Sequence, residues 1–554
     1  MSRPSEPLLS TNRFHKLAAL STKRRVRSSS NPRRSPADLS TGLLFPLFFA
    51  AVYLSHLTLL RLPYFWDEAG YYIPAAWDFF RTGSLIPQTT LSNAHPPLPS
   101  ILLASWWHLS GFVISGTRTL IVMVTATALV AIFRLTRSLL NTSAAAATVV
   151  LTATYPIWFA QSTLAHADMF AAAFTLWAIA LYLEPDAENQ ILVSGLFSFA
   201  ALSKETAIVT PLALAGFELY LLVREKNSSE RRSQMLWVAS LVSPVLPLAA
   251  WYAYHRHRTG FIFGNPEYLR YNATANLGPA RILLSLWHRL LHLTTHMNMY
   301  VPVVCAIAVL FVPLKPSTAR HLSRRTTAAI FTVIAANWVA FSVLGGALLT
   351  RYLLPIYPLI LLLCVAAWQR HIRKWWLLFA LSAAAFVAAI WINPPYAFAP
   401  EDNLTYRDMI VLHQRAIALI EHRYPAATVL TAWPASAELT RPELGYVHKP
   451  LKVVSLQNFA FDQIAQAAQD PGSYDTALIF STKWEPPPNQ LNLGKANTSA
   501  DAKYFDFHHD LTPSEAAAML HGEIVWQARR KGEWAAVLRF PRAVNASVTL
   551  PTRP

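Results

Sequence analysis

Eleven apolar runs, most of them close to the length of a membrane-crossing helix, constrain this chain more than any other feature. They fall near 43–61, 119–133, 145–161, 169–183, 191–203, 206–223, 235–253, 299–314, 328–349, 353–368 and 375–392. A bilayer core takes about 20 apolar residues per helix, so each run is a candidate span. Ser203, Lys204 and Glu205 break what would otherwise read as one long run, which argues for two helices there. Charged residues make up 14% of the chain, against about 25% in soluble proteins. The mean hydropathy is +0.29. Together these exclude a single soluble globule, and they exclude disorder, which needs low hydrophobicity and high charge. The expectation is a mainly α, polytopic membrane protein with about eleven transmembrane helices over residues 41–392.

The formal charge of +17 raises nucleic acid as a partner, but its placement argues for membrane lipid instead. Nine basic residues (Arg3, Arg13, Lys16, Lys23, Arg24, Arg25, Arg27, Arg33, Arg34) sit among serines and prolines just before the first apolar run. Residues 1–40 therefore read as a disordered basic cytoplasmic tail. With the N-terminus inside, Arg134 and Arg137, Arg224 to Arg232, Lys315 to Arg325, and Arg370 to Lys374 also fall inside, as the positive-inside rule requires. Two segments disobey. Segment 184–190 carries Glu184, Asp186 and Glu188 inside, and an outer loop 255–289 carries Arg256, Arg258, Arg270, Arg281 and Arg289. Eleven spans put the C-terminus outside. Residues 393–554 are polar and alternate helical periodicity (407–422, 461–469, 513–520) with apolar strand-like runs (427–432, 475–482), which suggests an extracytoplasmic α/β domain. Cys305 and Cys364 both lie in apolar runs and imply no disulfide framework.

The long first outer loop, 62–118, concentrates chemistry. It opens Pro63-Tyr64-Phe65-Trp66-Asp67-Glu68-Ala69-Gly70-Tyr71-Tyr72, and Ile73, Ala76, Trp77 and Phe80 follow at helical spacing. This stretch is too short and polar to span, so it is expected to lie in the interface. Gly83 ends it, and His95-Pro96-Pro97-Leu98 leads into a second semi-apolar helix, Pro99 to Phe112. Further along come Arg118, Ala165-His166-Ala167-Asp168-Met169, Ser203-Lys204-Glu205-Thr206 and Arg351-Tyr352-Leu353-Leu354-Pro355, each at an expected outer helix end. Ionisable residues at membrane depth are costly and usually functional.

In their order and spacing over about residues 60–360 these marks resemble the GT-C membrane glycosyltransferases. The branch in question uses polyprenyl-phosphate sugars: the protein O-mannosyltransferases and lipid A aminoarabinose transferases (glycosyltransferase family 39). The resemblance implies an inverting glycosyltransferase that takes its sugar from a polyprenyl-phosphate donor. The acceptor would be a protein, lipid or glycan on the outer face of a bacterial-type inner (plasma) membrane. Asp67 or Glu68 would be the general base, and His95, Asp168, Lys204, Arg351, Tyr352 and Arg270 would bind the substrate and its phosphate. The chain departs from the aminoarabinose enzymes at Ala94-His95, where they tend to carry Glu-Lys; this replaces a permanent charge by one that depends on pH.

Each residue also has a plainer role: Asp67 as a helix cap, Glu68 as a first-turn partner of the helix dipole, Asp168 and Lys204 as a pair clamping helix ends, Arg351 and Tyr352 as interfacial anchors. His288, His292 and His296 stand four apart, with His255 and His257 upstream, but no carboxylate or cysteine sits at ligand spacing beside them. A divalent metal is left open and no cofactor is certain. A transporter or lipid flippase competes as a function, although the chain shows no internal repeat of the kind many transporters have. A third reading is a membrane protein that merely presents its outer domain.

Overall fold

A computed structural model describes residues 43–184, 189–264, 277–314, 321–344, 348–481, 484, 486, 490–493, 498–505 and 508–540. Helices occupy all eleven apolar runs, as they must where lipid offers the backbone no hydrogen-bond partner. Four are both long and apolar enough to cross a bilayer: Ile114–Leu139, Glu205–Arg224, Ser228–Thr259 and Arg324–Val343. A fifth results if Pro279–Asn298 and Tyr300–Val309, bent by 98°, form one broken span. At that bend Met297 and Asn298 adopt left-handed backbone, with φ of 48° and 66°. Leu44–Ser55, Thr142–Thr154, Ala167–Leu183, Gln190–Ser203 and Trp376–Trp391 are shorter apolar helices. The centre of the bundle is rich in buried alanine, including Ala126, Ala128, Ala144, Ala145, Ala172 and Ala178; small side chains let helix backbones approach closely.

The first loop folds much as its pattern indicates. A turn of π-helix, Glu68–Tyr72, runs into the helix Ile73–Thr82, which stops at Gly83 in the left-handed conformation (φ 70°). Ile73 and Ala76 are buried, and Leu98–Ser110 forms the second loop helix.

The expected outer loop 255–289 is corrected. Helix Val245–Thr259 carries Arg256 and Arg258 in its last turn, and a new helix begins at Pro279 with Arg281 and Arg289 buried on it. Proline at the first helical position and the apolar side chains of Ile282, Leu286 and Leu293 drive this helix. Arg270, Asp186, Glu188 and the tail 1–40 lie outside the described residues.

After the last apolar helix the chain builds a five-stranded sheet in the order β2-β1-β3-β5-β4. The strands are β1 (Thr428–Ala432), β2 (Lys452–Leu456), β3 (Thr476–Phe480), β4 (Glu523–Arg530) and β5 (Glu533–Arg539). β1 is parallel to β2 and β3, whereas β5 runs antiparallel between β3 and β4. β3 is buried at every position and β1 at all but its first, the near-continuous apolar reading typical of central parallel strands. Helix Thr405–Arg423 packs on β4 and β5. The chain leaves β1 towards β2 and leaves β3 towards the other edge, so the connections diverge at the carboxyl ends of β1 and β3, the position at which open α/β sheets form a ligand-binding crevice.

Candidate active site

Asp67 begins the π-turn with helical backbone and makes no side-chain cap bond. Its carboxylate instead accepts a hydrogen bond from Arg351 Nη2, 284 residues later in the chain. Arg351 sits in the 3-10 turn Thr350–Leu353, just ahead of the helix Tyr357–His371. Its Nη1 donates to Glu401 Oε2, and its Nε lies 3.3 Å from Asp168 Oδ2. Asp168, in the first turn of Ala167–Leu183, also accepts from Lys204 Nζ at 2.5 Å. Lys204 has extended backbone between the helix ending at Ser203 and the 3-10 turn Glu205–Ile208, which turns its side chain inward at the break. A planar guanidinium with donors on three sides suits a site lined by three carboxylates. Arg351 and Asp168 are each 2% exposed and Glu401 4%, whereas Asp67 is 19% exposed. Of the carboxylates on Arg351, Asp67 is the most exposed.

Tyr352 gathers three cations. Lys204 Nζ is 3.7 Å from its ring centre, and the guanidinium carbons of Arg289 and Arg351 are 5.7 and 5.8 Å away. A small cleft opens beside it, lined by Asp168, Lys204, Asn337, Phe341, Arg351 and Tyr352 among others. Arg289 reaches this point from the helix Pro279–Thr294 and donates to the Leu349 carbonyl at 2.5 Å.

Burial dominates the electrostatics. It pushes the Glu401 carboxyl up to about 8, with Asp67, Asp402 and Asp168 adding to the rise and Arg351 opposing it. Burial also draws the Lys204 ammonium below the usual lysine range despite Asp168. His166, buried and close to the charges of Arg351 and Lys204, is held well below the ordinary imidazole value, so it is neutral.

The other expected residues separate from this group. Glu68 is fully buried and points away from Arg351. Its carboxylate accepts from Arg118 Nη1 at 2.6 Å, Ala165 N at 2.5 Å and Phe65 N at 2.9 Å. Arg118 donates onward to the carbonyls of Thr163, Pro63 and Leu62. His95 pairs through Nδ1 with Glu205 Oε2 at 2.9 Å and stacks on Tyr72. It lines a second small cleft with Tyr71, Tyr72, Asn93 and Trp251. Lys204 thus lines the first cleft, and its sequence neighbour Glu205 pairs with His95 of the second. Among the described residues no three His, Cys, Asp or Glu side chains are grouped to hold a metal; the arginine lies where a cation between Asp67, Asp168 and Glu401 would sit. His296 pairs with Asp402 at 2.8 Å.

Glu401 was not among the expected site residues. Its signal was Pro400-Glu401-Asp402, an acidic pair just beyond the last apolar run. Asp402 accepts from Thr350 and pairs with His296, which fixes the 3-10 turn that carries Arg351.

Residues 94–252 match the family model described as dolichyl-phosphate-mannose-protein mannosyltransferase. That stretch contains His95, Asp168 and Lys204 but ends short of Arg351 and begins after Asp67. No curated protein matches the chain. Among solved structures, ArnT from Cupriavidus metallidurans bound to undecaprenyl phosphate aligns at 13% identity, covering 91% of this chain and 98% of that one, with a TM-score of 0.53. Its apo state aligns at 13% identity over 90% and 98%, with a TM-score of 0.54. The chain is thus a mainly helical integral membrane protein with an ArnT-like fold, and it resembles the GT-C membrane glycosyltransferases of the protein O-mannosyltransferase and aminoarabinose transferase type.

Proposed function

We propose that this chain is an inverting glycosyltransferase, moving a sugar from a polyprenyl-phosphate donor to a hydroxyl or amine of a protein, lipid or glycan acceptor. The observation that carries the reading is the convergence of Lys204, Arg289 and Arg351 on Tyr352 beside a cleft. Asp67 and Asp168 offset two of these three cations, and the positive excess that remains favours an anion in the cleft. The undecaprenyl phosphate bound in the ArnT structure of the same fold supports a lipid phosphate as that anion. With the Glu401 proton in place, the group Asp67, Asp168, Lys204 and Arg351 is neutral, and Arg289 tips it positive.

In the reaction the acceptor's lone pair attacks the anomeric carbon, and the bond from that carbon to the phosphate oxygen breaks with inversion. Asp67 takes the acceptor's proton, and the leaving phosphate keeps the bonding electrons, stabilised by the cations around Tyr352. Arg351 both contributes charge and holds Asp67 in position. His95, steadied by Glu205, lines the second cleft and supplies a donor to the part of the donor substrate that reaches it. The matching topology has an inside N-terminus, eleven spans, loop 62–118 and the α/β domain 393–554 outside, and a bacterial-type inner membrane.

The test is turnover by the reconstituted protein with polyprenyl-phosphate sugars, read as release of free polyprenyl phosphate. Arg351→Lys should raise the donor concentration needed for half-maximal rate, because an ammonium is a point charge that does not replace a planar fork. Donor kinetics unchanged in both Arg351→Lys and His95→Ala would refute the assignment of the phosphate site.

A further inference from the structure

We infer that Trp66, Tyr71 and Trp433 form a binding corner for a pyranose ring beside Asp67, an inference that rests on the transferase reading above. Trp433 follows directly on the carboxyl end of β1, where the sheet's connections diverge, the place where open α/β sheets bind ligands. From the first loop, Trp66 meets it at 4.8 Å between ring centres with planes at 72°, and Tyr71 meets it at 6.1 Å. All three residues are only partly buried, so each keeps some accessible ring surface near the most exposed carboxylate on Arg351.

The backbone is shaped to bring them together. Trp66 adopts left-handed backbone, φ 49°, which is strained for a bulky residue and which proteins retain where geometry matters more than local stability. Gly70 admits the Trp433 ring: a Cβ there would stand 2.8 Å from its Nε1. Two aromatic planes near a right angle offer a floor and a wall. The C–H face of a pyranose carries weakly positive hydrogens and packs on the negative face of an aromatic ring, while its hydroxyls stay in water or reach a nearby carboxylate. Trp66 directly precedes Asp67 in the chain, which keeps the proposed base in the neighbourhood of this floor. The sugar is either the donor's own or an acceptor's.

Saturation-transfer NMR tests this on the protein in lipid nanodiscs, with methyl α-mannoside, methyl β-glucoside and methyl β-N-acetylglucosaminide as probes. At least one should receive saturation on the protons of one ring face, and Trp433→Leu should abolish the transfer. Trp66→Leu serves as the second variant should Trp433→Leu fail to fold. Displacement of the probe by polyprenyl-phosphate-mannose assigns the corner to the donor sugar; retention assigns it to the acceptor. Transfer to none of the probes, or equal transfer to wild type and both folded variants, overturns the proposal. Binding is read without turnover, so a dead transferase reading with an intact sugar corner, or the reverse, is distinguishable.

Discussion

Replacing Glu401 by glutamine isolates what a buried third carboxylate on Arg351 does. In the wild type its carboxyl rises from the ordinary 4.5 to about 8, chiefly through burial. Because the folded state holds the proton more tightly than the unfolded one, the associated stability is full below about pH 4.5 and is lost as pH rises through 8. Each pH unit of difference corresponds to about 1.4 kcal/mol, so complete ionisation costs on the order of 5 kcal/mol. Glutamine keeps the volume and an oxygen that accepts from Arg351 Nη1, and it cannot ionise. The apparent thermal midpoint of wild type in nanodiscs should therefore fall between pH 5 and 9, while Glu401→Gln stays flat and ends up the more stable protein at pH 9. Equal slopes for the two proteins would show that Glu401 does not carry this proton, and the charge count at the phosphate site would have to be redone.

Glu68→Gln should act on the fold: it leaves the buried Arg118 without its counter-charge, at a cost of about 3–5 kcal/mol. Lower expression and a lower thermal midpoint are expected, and a variant of wild-type stability with no turnover would instead place Glu68 in the chemistry. Reporter fusions should place residues 370–374 inside and residue 450 outside; a cytoplasmic report at 450 contradicts the topology and the face on which the site is proposed to open.

Much of the site was legible because membrane depth makes charge expensive. Asp67, Asp168, Lys204, Arg351 and Tyr352 stood out as polar residues at the ends of apolar runs, and the fold brings all five together. The pairing of Asp168 with Lys204 was also within reach, since both were expected at outer helix ends. Glu68 was ambiguous from sequence, as its neighbour in the chain shares its type and position. Only the π-turn shows that the two carboxylates diverge, one to Arg118 and the other to Arg351. Glu401 escaped because its partner lies 50 residues away, and an acidic pair just beyond a span reads equally well as a solvated loop.

In the fold, β1, β3 and the helix Thr405–Arg423 were visible as runs of clear period. β2 alternates exposed and half-buried residues, and β4 is largely exposed or half-buried, so neither has an apolar run to reveal it. The helix Pro279–Thr294 was hidden for a related reason: two arginines on its buried side interrupt the apolar face. Those arginines donate to the carbonyls of Ser342, Val343 and Leu349, where a helix ends and the chain returns towards Arg351.

Asp67→Asn tests the general base most directly. Asp67 makes no cap bond and is the most exposed carboxylate on Arg351, and asparagine retains the shape and an oxygen for Arg351 Nη2, while Asp168 stays beside the guanidinium and Glu401 still accepts from it. Stability should barely change. General-base assistance is worth about 10²–10⁴ in rate, so sugar transfer from the lipid donor should fall at least about a hundredfold with donor binding retained. A fully active Asp67→Asn would contradict the mechanism.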